Sequence, residues 1–199
     1  MVYENFTTYT EVDPNSHLTV AANHLDFVSY ENEDCYLYKD FGAGHFTDFE
    51  HLVDVRMGSG DNAVAAFLYN LQNNIDDVAA IYANNYTSLG VYVYYTAHNL
   101  SFAEIYNGSV YEQYTTLSAD TWYYLTISKT GTSVSCKVYS DSARTSLLTT
   151  LSFTLQADHS FRYMFPANTW NSGDNIYADN DIDNLDLQEA INRSYGVIV

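Results

Sequence analysis

Short runs of alternating apolar and polar residues dominate this chain. They leave it little choice of fold, because successive side chains point to opposite faces only in an extended strand. In FEHLVDVRM, Phe49, His51, Val53, Val55 and Met57 share one face, and Glu50, Asp54 and Arg56 take the other. LLTTLSFTL aligns Leu147, Thr149, Leu151, Phe153 and Leu155, while GVYVYYT opposes Val91, Val93 and Tyr95 to Tyr92 and Tyr94. Turn residues separate the runs. Asn107-Gly108 stands between two aromatic-rich segments and accepts the positive φ angles of a tight hairpin. Gly131 marks a second hairpin, between strands around Trp122 to Ile127 and Val134 to Tyr139. The alanine- and leucine-rich stretch after Gly60 predicts a strand over 64–69, then a loop or short helix. Many short strands following one another through hairpins predict an all-β fold, a two-sheet antiparallel sandwich.

Composition narrows the function. With 199 residues, 47% of them hydrophobic, the expectation is one domain with a sizeable core. Twenty Tyr, ten Phe and two Trp suit pleated strands and place hydroxyls at the water boundary. A formal charge of −18 repels phosphate backbones and anionic membranes, so nucleic acid is excluded as a partner. Neutral ligands, cations or a basic protein surface remain. No apolar run reaches membrane-spanning length, and MVYENFTTYT lacks the basic and apolar segments of a secretory signal. Cys35 and Cys136 are far apart and form no C-x-x-C motif; two buried thiols are the first expectation and a disulfide the alternative.

Motifs for catalysis are missing. There is no H-E-x-x-H, G-x-S-x-G or phosphate-binding P-loop. GSGDNA lacks the surrounding β-α-β alternation of a dinucleotide site, and Glu31, Glu33 and Asp34 read as a solvated acidic loop. The six histidines show no metal-ligand spacing; His51 belongs to the apolar face of its strand as a satisfied core residue. Sugar binding has a firmer basis, since aromatic faces stack on the apolar faces of sugar rings while Asn, Asp and His edges bond hydroxyls. Trp170, in ANTWNSGDN, is the first candidate; Tyr92 and Tyr94, opposite the valines of their strand, and His45, beside Gly44 and Phe46 in a loop, complete the set.

DNIYADNDIDNLDL raises a metal question. Asp179, Asp181 and Asp183 reproduce the D-x-D-x-D opening of an EF-hand, but the sixth and twelfth positions hold Asn184 and Ala190 instead of Gly and Glu. The spacing instead fits a strand entered at Asp183, with Ile182, Asn184 and Asp186 pointing one way and Asp183, Leu185 and Leu187 the other. Three carboxylates at alternate positions repel one another unless a cation or solvent separates them. Either a structural Ca²⁺ or a solvated surface meets that need.

YENFTTYTEVDPNSH, YLYKDFGAGHFTDFEHLVDV, TWYYLTISKTGTSVSCKVYSDSARTSLL and DNDIDNLDL together resemble the concanavalin A-like lectin/glucanase superfamily, especially the laminin G-like domains of phage and environmental bacterial sequences. The resemblance covers about Tyr3 to Leu187, leaving 188–199 as a short C-terminal extension. It implies a jelly roll with one concave and one convex sheet, in which sugar-binding members use the concave face or the rim loops. It also implies a structural Ca²⁺ where the last strand pairs with the first, here on Asp183 with Asp181 or Asp179. The superfamily's glucanases carry two Glu in E-x-D-x-x-E, which this sequence lacks. The expected function is therefore a non-enzymatic carbohydrate-binding or adhesion module of a phage particle or extracellular assembly. The alternative is a structural virion or filament subunit that self-associates through exposed aromatics; a glycoside hydrolase comes third.

Overall fold

The structure is a computed structural model describing residues 2–29, 35–60, 64–94, 99–171 and 178–189. Its strands are β1 Thr10–Val12, β2 Leu18–Val20, β3 His24–Ser29, β4 Tyr36–Asp40, β5 Phe49–Gly60, β6 Val64–Gln72 and β7 Ser88–Tyr94. They continue as β8 Asn99–Tyr106, β9 Ser109–Thr116, β10 Thr121–Thr130, β11 Ser133–Tyr139, β12 Leu147–Thr154, β13 Tyr163–Asn171 and β14 Ala178–Asp186. A short helix, α1 Val78–Ala83, lies between β6 and β7. Among the described residues these strands form two seven-stranded sheets: sheet A, in the order β1-β4-β13-β6-β7-β8-β9, and sheet B, in the order β12-β11-β10-β5-β14-β3-β2. Every pairing is antiparallel. This is the two-sheet sandwich that the alternation predicts.

The core lies between the inner faces. Val53, Val55 and Met57 of β5, Leu125 and Ile127 of β10, and Val134, Cys136 and Val138 of β11 meet Leu89, Val91 and Val93 of β7 and Leu100 and Phe102 of β8. All are buried, as period-two alternation against a dry interior requires. The β8–β9 hairpin turns on Asn107 and Gly108 at φ 50° and 72°, the left-handed pair that a two-residue turn demands. Cys35 and Cys136 are both buried and form no disulfide, and burial pushes the Cys136 thiol up to about 12.

Two expectations need adjusting. The strand predicted over 64–69 runs on to Gln72, and the loop or short helix beyond it is α1, capped by the Asp77 carboxylate accepting from the Ala80 N–H at 2.7 Å. Val78 and Ile81 of α1 pack on Phe67 and Ile105, covering that part of the outer face of sheet A. The last strand begins at Ala178 rather than at Asp183, and its alternation is broken. Its pairing to β5 shifts between Asp183 and Asp186, with Asn184 at φ 54°. That bulge turns Leu185 and Leu187 to the same side as Ile182, so all three enter the core.

Candidate binding face on sheet B

On the outer face of sheet B, β10, β11 and β12 present a hydroxyl surface. Thr126, Ser128 and Thr130 of β10 pair in register with Lys137, Ser135 and Ser133 of β11. These pair in turn with Thr150, Ser152 and Thr154 of β12. The alternate residues of the same strands are the core's Leu125, Ile127, Val134, Cys136 and Leu151, so alternation itself sends the hydroxyls outward. Ser128, Thr130, Ser133, Ser135, Ser152 and Thr154 line a shallow groove of about 490 Å³. The Ser128 and Ser135 hydroxyl oxygens are 2.8 Å apart, and the Ser152 N–H donates to the Gln113 side chain of β9 at 2.8 Å.

A second, tighter concavity of about 320 Å³ opens where β5 begins and β14 has ended, lined by residues 45–46, 48–51 and 187–189. The loop before β5 bends through Gly42 and Gly44 at φ 96° and 71°, conformations that favour glycine, and so delivers His45 and Phe46. Phe46 is anchored by reciprocal 3.0 Å backbone hydrogen bonds with Phe161. Phe49 stacks on His51 with centroids 4.2 Å apart. His51 is 1% exposed, and its Nδ1 lies 2.6 Å from the Tyr69 hydroxyl. Burial lowers the His51 pKa to about 3, so the ring is neutral, and burial of Tyr69 raises its pKa well above the ordinary phenol value. One ring nitrogen of His51 is thus engaged; the other, Nε2, has no partner among the described residues. At the rim, His45 Nε2 meets the Glu189 carboxylate.

A cross-strand row connects the walls of pocket and groove. Glu50, on the pocket wall, pairs with Ser128, Ser128 with Ser135 and Ser135 with Ser152, one cross-strand row from pocket to groove. Asp48, also on the wall, accepts from the Gly131 N–H in the β10–β11 turn at 2.7 Å.

The Asp row occupies the same sheet farther along. Arg56 of β5 contacts Asp181 directly and reaches Asp120 at 3.1 Å and Asp179 at 3.7 Å. His24 Nδ1 is 2.6 Å from Asp183 Oδ1. Burial raises the carboxyl pKa values of Asp181 and Asp179, and Arg56 opposes it. Asp54 of β5 receives Arg144 Nη2 at 2.7 Å and the Asn184 amide at 2.9 Å. Among the described residues no group of three or more His, Cys, Asp or Glu side chains is placed to hold a metal ion. Side chains of the protein, Arg56 and His24, stand between these carboxylates, and a calcium ion on Asp183, Asp181 and Asp179 would have to displace them.

The aromatic candidates lie elsewhere. Trp170 pairs with Ala65 and Ala65 with Tyr94; two rows along, Asn168 pairs with Phe67 and Phe67 with Tyr92. Sheet A thus brings Trp170, Tyr94 and Tyr92 to rows two apart, although the side chains of Trp170 and Tyr94 lie outside the described residues. The Tyr92 hydroxyl donates to Glu112 and its ring packs on Phe67. His45 is not with them: β6 starts at the far end of β5 from the pocket, and β5 spans roughly 35 Å at about 3.3 Å per residue. The pocket residues that sequence reasoning did not select, Asp48, Phe49, Glu50, Gln188 and Glu189, carried no motif. Only their adjacency to His45 pointed to the first three.

An antiparallel two-sheet sandwich is an architecture that many unrelated functions share, jelly-roll lectins among them. No family model matches the chain, and no curated protein matches it. Solved structures do. The VIP36 exoplasmic/lumenal domain in its Ca²⁺/Man2-bound form superposes with a TM-score of 0.59 at 9% identity, covering 96% of this chain and 89% of that one. The carbohydrate-binding module CBM66 from Bacillus subtilis gives 0.52 at 13% identity, covering 92% and 94%. A functionally unknown protein from Saccharomyces cerevisiae gives 0.59 at 11%, covering 92% and 96%. At these identities the likeness is one of fold.

Proposed function

We propose that this chain is a non-catalytic carbohydrate-binding module whose glycan lies across the outer face of sheet B with one end in the His45 pocket. The observation that carries this reading is the row Glu50–Ser128–Ser135–Ser152, which joins a pocket of aromatic, imidazole and carboxylate groups to a hydroxyl-lined groove. Stacking surfaces beside hydrogen-bonding edges suit a sugar ring, and uncharged hydroxyls suit the chain that follows it. The likeness to CBM66 and to the mannose-bound VIP36 domain supports the same class. The test is retention on a glycan array by the wild type and by Ser135→Arg, which fills the groove from an outward position. The variant should fold normally and lose the wild type's hits; unchanged hits would remove the groove from the site.

A second reading, a structural subunit of a virion or other assembly, is favoured by exposed apolar side chains on strands β9 and β12: Val110, Tyr111, Tyr114, Leu147 and Leu148. Light scattering after size exclusion separates the two. A binding module stays monomeric and holds glycan, whereas an assembly subunit associates as concentration rises and ignores it.

A further inference from the structure

We infer that the pocket selects a sugar bearing a free ammonium group, a 2-amino-2-deoxy residue, over its neutral or N-acetylated counterparts. The inference rests on the carbohydrate-binding reading and concerns only the pocket end of the face. Asp48, Glu50 and Glu189 bring three carboxylates to the wall; among the described residues the basic side chains set against them are His45, paired to Glu189, and Lys129, 4.0 Å from Asp48. Glu50 has no side-chain partner among the described residues. The nearest lysine, Lys129, is buried and committed to Asp158 at 2.7 Å, with Asp48 at 4.0 Å. His51 itself adds no charge to the floor, because its ring is neutral.

His51 is also the observation that separates this pocket from an ordinary acidic surface. It is a 1% exposed side chain that lines the cavity, held by Tyr69 on one nitrogen and without a partner on the other among the described residues. Such a group is placed to bond a ligand hydroxyl while the carboxylates take the ammonium. The faces of Phe46 and Phe49 attract a cation as well as a ring. A volume of about 320 Å³ is near the low end of ligand sites, roughly 300–1,000 Å³, and admits one monosaccharide-sized group. The formal charge of −18 draws cationic ligands to the protein at long range.

The experiment is calorimetric titration of the intact protein at physiological salt with a glucosamine tetramer, the N-acetylated tetramer, a neutral cello-tetramer and tetralysine. The titrations are repeated with an Asp48→Asn, Glu50→Gln double variant whose melting temperature is shown to match the wild type. The glucosamine tetramer should bind at least tenfold more tightly than the other three, and the double variant should lose that margin. Equal affinity for the neutral tetramers, with binding lost in Phe49→Ala, overturns the ammonium preference and leaves the carbohydrate reading standing. Tetralysine binding as tightly overturns the sugar part. A preference that survives the double variant overturns the pocket as its source. If no tetramer binds, the inference and the carbohydrate reading fall together.

Discussion

Arg144 Nη2 lies 2.7 Å from Asp54 Oδ1, and the arginine that makes this contact holds its backbone at φ 54°. It crosses from the β11–β12 loop over the Tyr124 ring and also donates to the Leu125 carbonyl at 3.3 Å. Asn184, at φ 54°, reaches the other oxygen of the same carboxylate. A non-glycine residue in the left-handed region costs on the order of 1 kcal/mol, a cost that persists only where surrounding contacts over-determine it. Here the over-determining group is a carboxylate 6% exposed, whose pKa burial raises and these two partners pull down.

Removing one partner therefore leaves an under-compensated buried charge. Arg144→Leu should lower the urea unfolding free energy by about 3 kcal/mol, and Arg144→Leu with Asp54→Leu by much less, because the stranded charge goes too. Equal losses in the single and double variants would show that the loop, not the ion pair, is what matters.

His51 gives the acid side of the stability curve. Folded, it resists protonation down to about 3; unfolded, an imidazole protonates near 6.5. Between those values the unfolded chain binds the extra proton, so stability present above about pH 6.5 falls as pH drops, by up to about 1.4 kcal/mol per pH unit. Asp54, Asp179 and Asp181, with raised pKa values, act in the opposite direction. His51→Gln should keep a polar partner for Tyr69 yet show a shallower decline between pH 6.5 and 5.5 in denaturant titrations; parallel curves would contradict this account.

Arg56 and His24 already separate the carboxylates of Asp179, Asp181 and Asp183. After chelation, millimolar Ca²⁺ should therefore move the melting temperature by less than about 1 °C. A rise of roughly 5 °C or more would mean that an ion displaces those side chains, since ligand at about a hundred times its Kd adds roughly 2.7 kcal/mol.

Phe49→Ala and Trp170→Ala separate the two ends of the sandwich. Phe49 stacks beside the pocket, and its loss should weaken glycan binding about five- to tenfold, the contribution of one aromatic face. Trp170, on the β13 row that pairs with the start of β6, should be silent in the same titration. The reverse pattern would move the site to that end, where Tyr92 and Tyr94 also lie.

Much of the fold was legible because parity is local. Phe49 to Met57 announces which face of β5 is buried through a rule linking each residue only to its second neighbour, and Asn107-Gly108 announces its turn through two φ angles. The sequence alone determined the strands, the hairpins and the all-β class. Parity failed at Asn184, where one inserted residue reversed the facing of Leu185 and Leu187, because a bulge is set by what the partner strand must accommodate. Function was less legible for the same reason. Which side chain stands beside Asp183, and whether His45 joined Trp170 or Glu189, turned on cross-strand register and on which loops end beside each other. The pocket draws on residues 45–46, 48–51 and 187–189, two groups more than a hundred positions apart, and only the tertiary structure decided that they share one wall.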